Sequence, residues 1–395
     1  MRNKSSLLLF VFFLSGCSFK INQVGVRYNS DTTAQFTSAN DSSNTTFSTV
    51  PFVSQEEQSN SELADESFED SNESPVEERQ LYEIQIENNV NALTELRAES
   101  EDNETYCFFT DPHCFSSTRD YNINVDTLEY GFNILEQAYA ASSSSFIMCG
   151  GDLLNSGDTK SQACYKLSYF SSVMKTRFDN SYMIVGNHDT NYLGDTYVDS
   201  QDYNGCILSQ NTLNDVLYDG DNSYYRIDTS TTSYYCFDSG IDFLDNILTD
   251  YKKEQLSWFA SSLLTDEKPH KAIFIHIASA GSNISGTSMM SELDRIIGAF
   301  NNRNCVVVEG NSYDYSNSCG SVYFFHAGHN HQDLNGFTPS GVPVFLTRTF
   351  GSPEIATQPT FDIVFVDYSN LKVVFLRVGD GCNREFSISA QQLTS

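Results

Sequence analysis

Five short segments of the 395-residue chain carry side chains that hold metal ions or move protons. They read Asp111-Pro112-His113, Gly150-Gly151-Asp152-Leu153-Leu154-Asn155, Gly186-Asn187-His188-Asp189, the single His276, and Gly328-His329-Asn330-His331. Carboxylates bridge cations and offset their charge, neutral imidazoles fix geometry, and an amide oxygen adds a weak neutral ligand. In extended backbone, residues i and i+2 point the same way, so Asp111 with His113, and His329 with His331, can each converge on one point. Glycines before Asp152, Asn187 and His329 let the chain turn sharply and approach an ion closely. Five of the seven histidines fall inside these segments. The other two lie outside: His326 reads as structural, and His270, beside Pro269 in a polar turn, as exposed.

Each segment ends a short apolar run of strand character. Strands are expected over 106–110, 146–149, 182–185, 234–238, 272–277, 321–326, 344–347, 361–368 and 372–378. Helical periods lie between several of them, marked by Leu128, Phe132, Leu135 and Tyr139, by Leu256, Phe259 and Leu263, and by Met289, Leu293, Ile297 and Phe300. Strands alternating with helices to about residue 300, then mostly strands, indicate a layered α/β domain. In such sheets ligands collect on the loops that follow the strands, where all five segments fall.

The order D-x-H, GDxxN, GNHD, H, GHxH resembles the calcineurin-like metallophosphoesterases over about residues 105–380. The resemblance implies a four-layer αββα sandwich over 105–395 and two divalent or trivalent ions of Mn, Fe or Zn type. One ion would sit on Asp111, His113, Asp152 and His331, the other on Asp152, Asn187, His276 and His329, with Asp152 bridging. A hydroxide formed between the ions would attack phosphorus. His188 would protonate the leaving oxygen as general acid, with Asp189 orienting its imidazole. Asn155 is expected behind Asp152, bracing that loop through its side chain. Departures narrow the class. Purple acid phosphatases use D-x-G and a tyrosine in GDxxY, where this chain has His113 and Asn155. Serine/threonine protein phosphatases carry GDxxDRG and GNHE, against GDLLNSG and GNHD here. Secreted 5′-nucleotidases need a second substrate domain, and only 64 residues follow His331. The remaining expectation is a phosphodiesterase or phosphomonoesterase (EC 3.1 class). Its substrate choice would fall to residues 114–124, 190–218 and 278–286.

Charge divides the chain into three materials. The total is −30. Residues 1–27 hold four bases and no acid, residues 28–104 hold 19 acids against two bases, and the rest holds 33 against 16. The acidic balance repels a phosphate backbone, so nucleic acid is not an expected partner. Few basic residues near the motifs favour a small or surface-bound phosphoester. Residues 1–16 read as an export signal, with eight apolar residues from Leu7 to Leu14 between a basic start and small residues. The stretch Leu14-Ser15-Gly16-Cys17 resembles the bacterial lipobox, which implies acylation of Cys17 and a lipoprotein anchored at the cell surface or in the periplasm. Residues 17–78 read as a disordered acidic tether. Leu81, Ile84, Val90 and Leu93 mark an amphipathic helix within 79–104. Nine cysteines besides Cys17 leave at least one unpaired; Cys305 and Cys319 flank a polar loop at a distance that would allow a disulfide. Two other functions remain open from these residues: a non-catalytic metal-containing surface binding protein, and an exported nuclease.

Overall fold

The computed structural model describes residues 75–113, 125–192, 205–240, 249–278, 288–351 and 359–388. The expected signal, Cys17 and the acidic stretch to residue 74 lie outside them, as do 114–124, 193–204 and 279–286 of the expected substrate loops. The described residues belong to one compact unit. Among them, no helix is long and apolar enough to cross a membrane.

Two six-stranded sheets form the centre. The first contains β1 (Asn103–Phe109), β2 (Ile147–Cys149) and β3 (Ser181–Met183), with β12 (Phe361–Asp367), β13 (Lys372–Val378) and β14 (Arg384–Ser387), in the order β14-β13-β12-β1-β2-β3. The second contains β4 (Tyr225–Asp228), β5 (Thr232–Phe237), β6 (His270–Ile275), β9 (Ser321–Ala327), β10 (Leu334–Phe337) and β11 (Pro343–Leu346), in the order β10-β11-β9-β6-β5-β4. A hairpin of β7 (Cys305–Val308) and β8 (Asn311–Asp314) stands apart.

Strand alternation decides the layers. On β1, Tyr106 and Phe108 enter a core between the sheets with Phe146, Tyr234, Phe274, Phe324, Val364 and Phe375, while Cys107 and Phe109 face the helices. That outer face is covered by α1 (Pro75–Ala98), α2 (Val125–Ser142), α3 (Lys160–Arg177) and α4 (Gln210–Leu217). The second sheet's outer face packs on α5 (Asp250–Thr265) and α6 (Ser288–Asn301) through Phe259, Leu263, Leu293 and Phe300. Helices outside two facing sheets make the expected four layers.

Several elements differ from the periodic reading. Helix α1 starts at Pro75, inside the expected tether, and its buried stripe is Tyr82, Ile86 and Leu93; Leu81 and Ile84 face out. Its phase is set by docking: Tyr82 donates to Pro359 O, Gln85 to Gly379 O and Asn89 to Arg377 O. Helix α3 escapes the period because Ser171 takes a buried place on its inner face and Tyr165 lies outside. A Thr159–Gln162 capping box starts it. Helix α4 occupies part of the expected long loop, capped by Ser209. Strands β4, β7, β8, β10 and β14, each of four residues, are too short to give a periodic signal. His270 is buried on β6, its Nε2 2.6 Å from Asp102 and its ring stacked on Tyr368. Cys305 and Cys319 are exposed free thiols, so the disulfide that their placement would allow is not formed.

Candidate metal centre

Strands β1, β2 and β3 run parallel, as do β5, β6, β9 and β11. Asp111, Asp152, Asn187, His276 and His329 therefore all leave from carboxyl ends at one rim of the sandwich. Asp111, His113, Asp152 and His331 bring ligand atoms within 4.8 Å of one another, and so do Asp152, His276 and His329. Asp152 belongs to both groups, which is the bridging position.

The backbone at this rim is strained. Asp111 (φ 52°), His113 (41°), Asp152 (55°), Ser156 (58°), His329 (74°) and His331 (54°) all adopt the left-handed region. Each such residue costs roughly 1–2 kcal/mol, and such costs persist only where the surroundings over-determine them. At Gly186 and Gly328 the requirement is space. A Cβ on Gly186 would lie 2.1 Å from Asp152 Oδ1, and one on Gly328 2.5 Å from Asp111 Oδ2.

Neighbouring groups hold each ligand in place. His113 donates Nδ1–H to Leu154 O at 2.9 Å, and His276 donates Nδ1–H to Gly150 O at 2.7 Å, which turns both Nε2 lone pairs inward. His276 Nε2 lies 3.0 Å from Asp152 Oδ2, and His331 Nε2 3.2 Å from Asp111 Oδ1. Asp111 accepts the Thr110 hydroxyl at 2.7 Å and the His329 amide at 3.0 Å. Thr349 anchors the backbone carbonyl of Asp111.

The electrostatics fit a cationic occupant. Burial alone would raise the Asp152 carboxyl, but His276, His188 and His113 outweigh it and hold it well below the carboxylate range. Asp111 is lowered in the same way by His276 and His331 against burial. Burial would lower His276, yet Asp152 and Asp111 push it up to about 10. Burial and the neighbouring His276 take His329 down to about 4. Asn187 Oδ1 is buried with no hydrogen-bond partner among the described residues. A buried acceptor without a partner is costly, and a metal ion at this point removes the cost. The donor set and this orphaned atom fit a pair of ions.

His188 stands beside the cluster, its ring 4.9 Å from that of His113. Its partner is not the expected one. The Asp189 carboxylate faces away and accepts backbone N–H groups from Gly186, Asp152, Leu153 and Leu154 at 2.7–3.1 Å. Ser156 Oγ instead lies 3.1 Å from His188 Nδ1. The bracing expected of Asn155 also falls to Asp189; Asn155 is half-buried and makes no hydrogen bond with other described residues. Thr110, Thr349 and Ser156 escaped the sequence reading. Only Ser156 lay within a quoted motif, GDLLNSG, and nothing in its type announced a role.

Two facing sheets in four layers carry a candidate two-ion ligand cluster at one rim. The sequence pattern of calcineurin-like phosphoesterases matches residues 105–333, more than half the chain, and the chain belongs to that family. Among solved structures, the fold is similar to a dimetal phosphatase from Danio rerio, at 12% identity and TM-score 0.46, covering 72% of this chain and 99% of that one. A calcineurin-like phosphoesterase from Bacillus subtilis is similar at 14% identity and TM-score 0.38, covering 74% and 92%. A purple acid phosphatase from yellow lupin seeds is similar at 11% and 0.41, covering 72% and 54%. No curated protein sequence matches the chain. Family membership rests on the sequence pattern.

Proposed function

We propose that this chain hydrolyses phosphoesters, as a phosphodiesterase or phosphomonoesterase, at the rim formed by Asp111, His113, Asp152, Asn187, His276, His329 and His331. The observation that carries the reading is the convergence of these ligands at one rim, with the buried acceptor Asn187 Oδ1 left without a hydrogen-bond partner among the described residues. Asp111, His113, Asp152 and His331 would hold one ion, and Asp152, Asn187, His276 and His329 the other. Bound ions supply positive charge for the phosphoryl oxygens and lower the pKa of a water. The leaving oxygen needs a proton as its bond to phosphorus breaks. His188, near the ligands but outside both groups, would donate it, a role supported by its ring contact with His113.

The full chain loaded with Mn²⁺ or Zn²⁺ should hydrolyse 4-nitrophenyl phosphate or bis(4-nitrophenyl) phosphate. A chelator and Asp152→Ala should each abolish turnover. Comparing the two esters assigns mono- or diesterase character. Two equivalents of metal bound with no ester turned over would instead support the surface binding protein.

Export and tethering complete the proposal. The basic start, short apolar run and Leu14-Ser15-Gly16-Cys17 support a lipid anchor on Cys17, with the acidic stretch as spacer. Labelled fatty acid should enter the wild-type chain and not Cys17→Ser; equal labelling of both removes the anchor.

A further inference from the structure

Ser156 is buried and holds φ of 58° immediately before Gly157, which takes 88°. Glycine would occupy the Ser156 position with less strain, so the serine side chain has a reason to be there. Its hydroxyl touches His188 twice: Oγ is 3.1 Å from Nδ1 and 3.1 Å from the His188 carbonyl oxygen. A hydroxyl has one hydrogen, and a carbonyl only accepts. The contact to the carbonyl is favourable only when the hydroxyl donates there. The Oγ lone pair is then left to accept from Nδ1, which must carry hydrogen.

We infer that Ser156 is the positioning residue for His188, holding its ring as the Nδ1–H tautomer with Nε2 toward the site. The inference rests on the proposed role of His188 as proton donor. A ring that gives up Nε2–H to a leaving oxygen returns to the neutral Nδ1–H form, so one hydrogen bond serves the ring before and after transfer. Other contacts fix the remaining freedom. Asp152 Oδ1 accepts the His188 backbone N–H at 2.8 Å, and the His113 ring meets the His188 ring edge to face. Asp189, the carboxylate next in sequence, is committed to four amides and leaves this place to a neutral hydroxyl.

The test uses the full chain loaded with Zn²⁺ and labelled with ¹⁵N-histidine, with His188 assigned by the signal missing from His188→Gln. At a pH where the ring is neutral, the wild type should show a pyrrole-type Nδ1 and a pyridine-type Nε2, and Ser156→Ala should show a mixture. A wild-type Nε2–H tautomer, or an unchanged pattern in Ser156→Ala, overturns the inference. Kinetics give the second readout. Ser156→Ala should lower kcat roughly tenfold for phenyl phosphate and less than twofold for 2,4-dinitrophenyl phosphate, with KM unchanged. Equal losses on both substrates would reduce Ser156 to loop packing. If Ser156→Ala folds poorly, Ser156→Gly removes the hydroxyl and the strain together. Failure of the wild type to turn over any ester defeats the proposed function, whereas the tautomer result still decides Ser156.

Discussion

The Nε2 atoms of His113 and His331 face each other at 3.0 Å. Because His113 donates its Nδ1–H to Leu154 O, its Nε2 carries a lone pair in the neutral ring. Two lone pairs at that separation repel unless a proton or a cation lies between them. Without metal, protons fill the role. Against burial, the bond to Asp111 raises His331, and the charges of Asp152 and Asp111 raise His276 to about 10.

Metal loading must therefore expel protons. At any pH below about 10, His276 is protonated in the metal-free chain, so a metal ion on its Nε2 displaces that proton. Affinity should rise with pH, about tenfold per unit for each proton released. Titration calorimetry at pH 7 in buffers of different ionisation enthalpy should show release of at least one proton. Affinity flat from pH 6 to 8 would remove His276 from the ligand set. At a hundredfold excess over Kd, each ion should stabilise the fold by about 2.7 kcal/mol, reversed by a chelator.

Asp189 makes a different prediction, about loop order. Its two oxygens tie the amides of Gly186, Asp152, Leu153 and Leu154, so they join the loops after β2 and β3. In Asp189→Asn one oxygen becomes an NH₂ facing N–H donors. The expected loss is about 2–3 kcal/mol by urea denaturation, together with weaker metal binding through Asp152 and Asn187. Linkage adds a pH signature. Burial, then the Asp152 charge, push the Asp189 carboxyl up to about 7, above its unfolded value near 3.9. Its contribution is full below the unfolded pKa and is lost as pH rises through about 7. Without metal, the wild type should lose more stability than Asp189→Asn between pH 5 and 8. Parallel pH profiles would refute the shift.

Much of the fold and the ligand set was legible because each is written in local pattern. The long buried strands β1, β6, β9, β12 and β13 are near-continuous apolar runs, and glycine-flanked Asp, His and Asn stand where they end. What the sequence hid depends on tertiary partners. Asp189 follows His188, yet a 3₁₀ turn over His188–Thr190 turns its carboxylate onto the neighbouring loop amides. His270 sits in a polar stretch, and only pairing with Asp102 and stacking on Tyr368 bury it. The phase of α1 follows from where Tyr82 and Asn89 find carbonyls nearly 300 residues away in sequence. No periodicity reports such partners.

Gly186 tests whether Asp152 is held by contact. A Cβ there would lie 2.1 Å from Asp152 Oδ1 and 2.3 Å from Asp152 N, so backbone as well as side chain would have to move. Gly186→Ala should displace the bridging carboxylate and weaken binding of both ions more than tenfold. Gly310→Ala is the control for backbone strain alone: its φ of 80° disfavours a side chain, a strain that Gly186 does not carry, and no atom lies within 4 Å of the added Cβ. The control should lose stability and keep its metal affinity. Equal metal affinity in both variants would show that Asp152 is not held by this close approach.

A buried charge network carries the last prediction, and it reaches the site through Asp333, two residues beyond His331. Asp362 is fully buried between Arg377 Nε at 3.0 Å, Arg384 Nη2 at 2.7 Å and the Thr347 hydroxyl at 2.9 Å. Arg377 and Arg384 both continue to Asp333. Thr347 also meets His326, which stacks on Phe108 and is kept neutral by burial and the two arginines. Removing one member leaves charge unbalanced in the core, so Asp362→Leu and Arg377→Met should each cost about 3–5 kcal/mol. Removing both partners takes the pair out together. The double variant should be destabilised by less than the sum of the singles, by more than about 1 kcal/mol in a urea double-mutant cycle. Strict additivity would mean that the two charges do not depend on each other. Because Asp333 loses a partner in Arg377→Met, metal affinity should fall in that variant even where the fold persists. Unchanged affinity would separate the network from the position of His331.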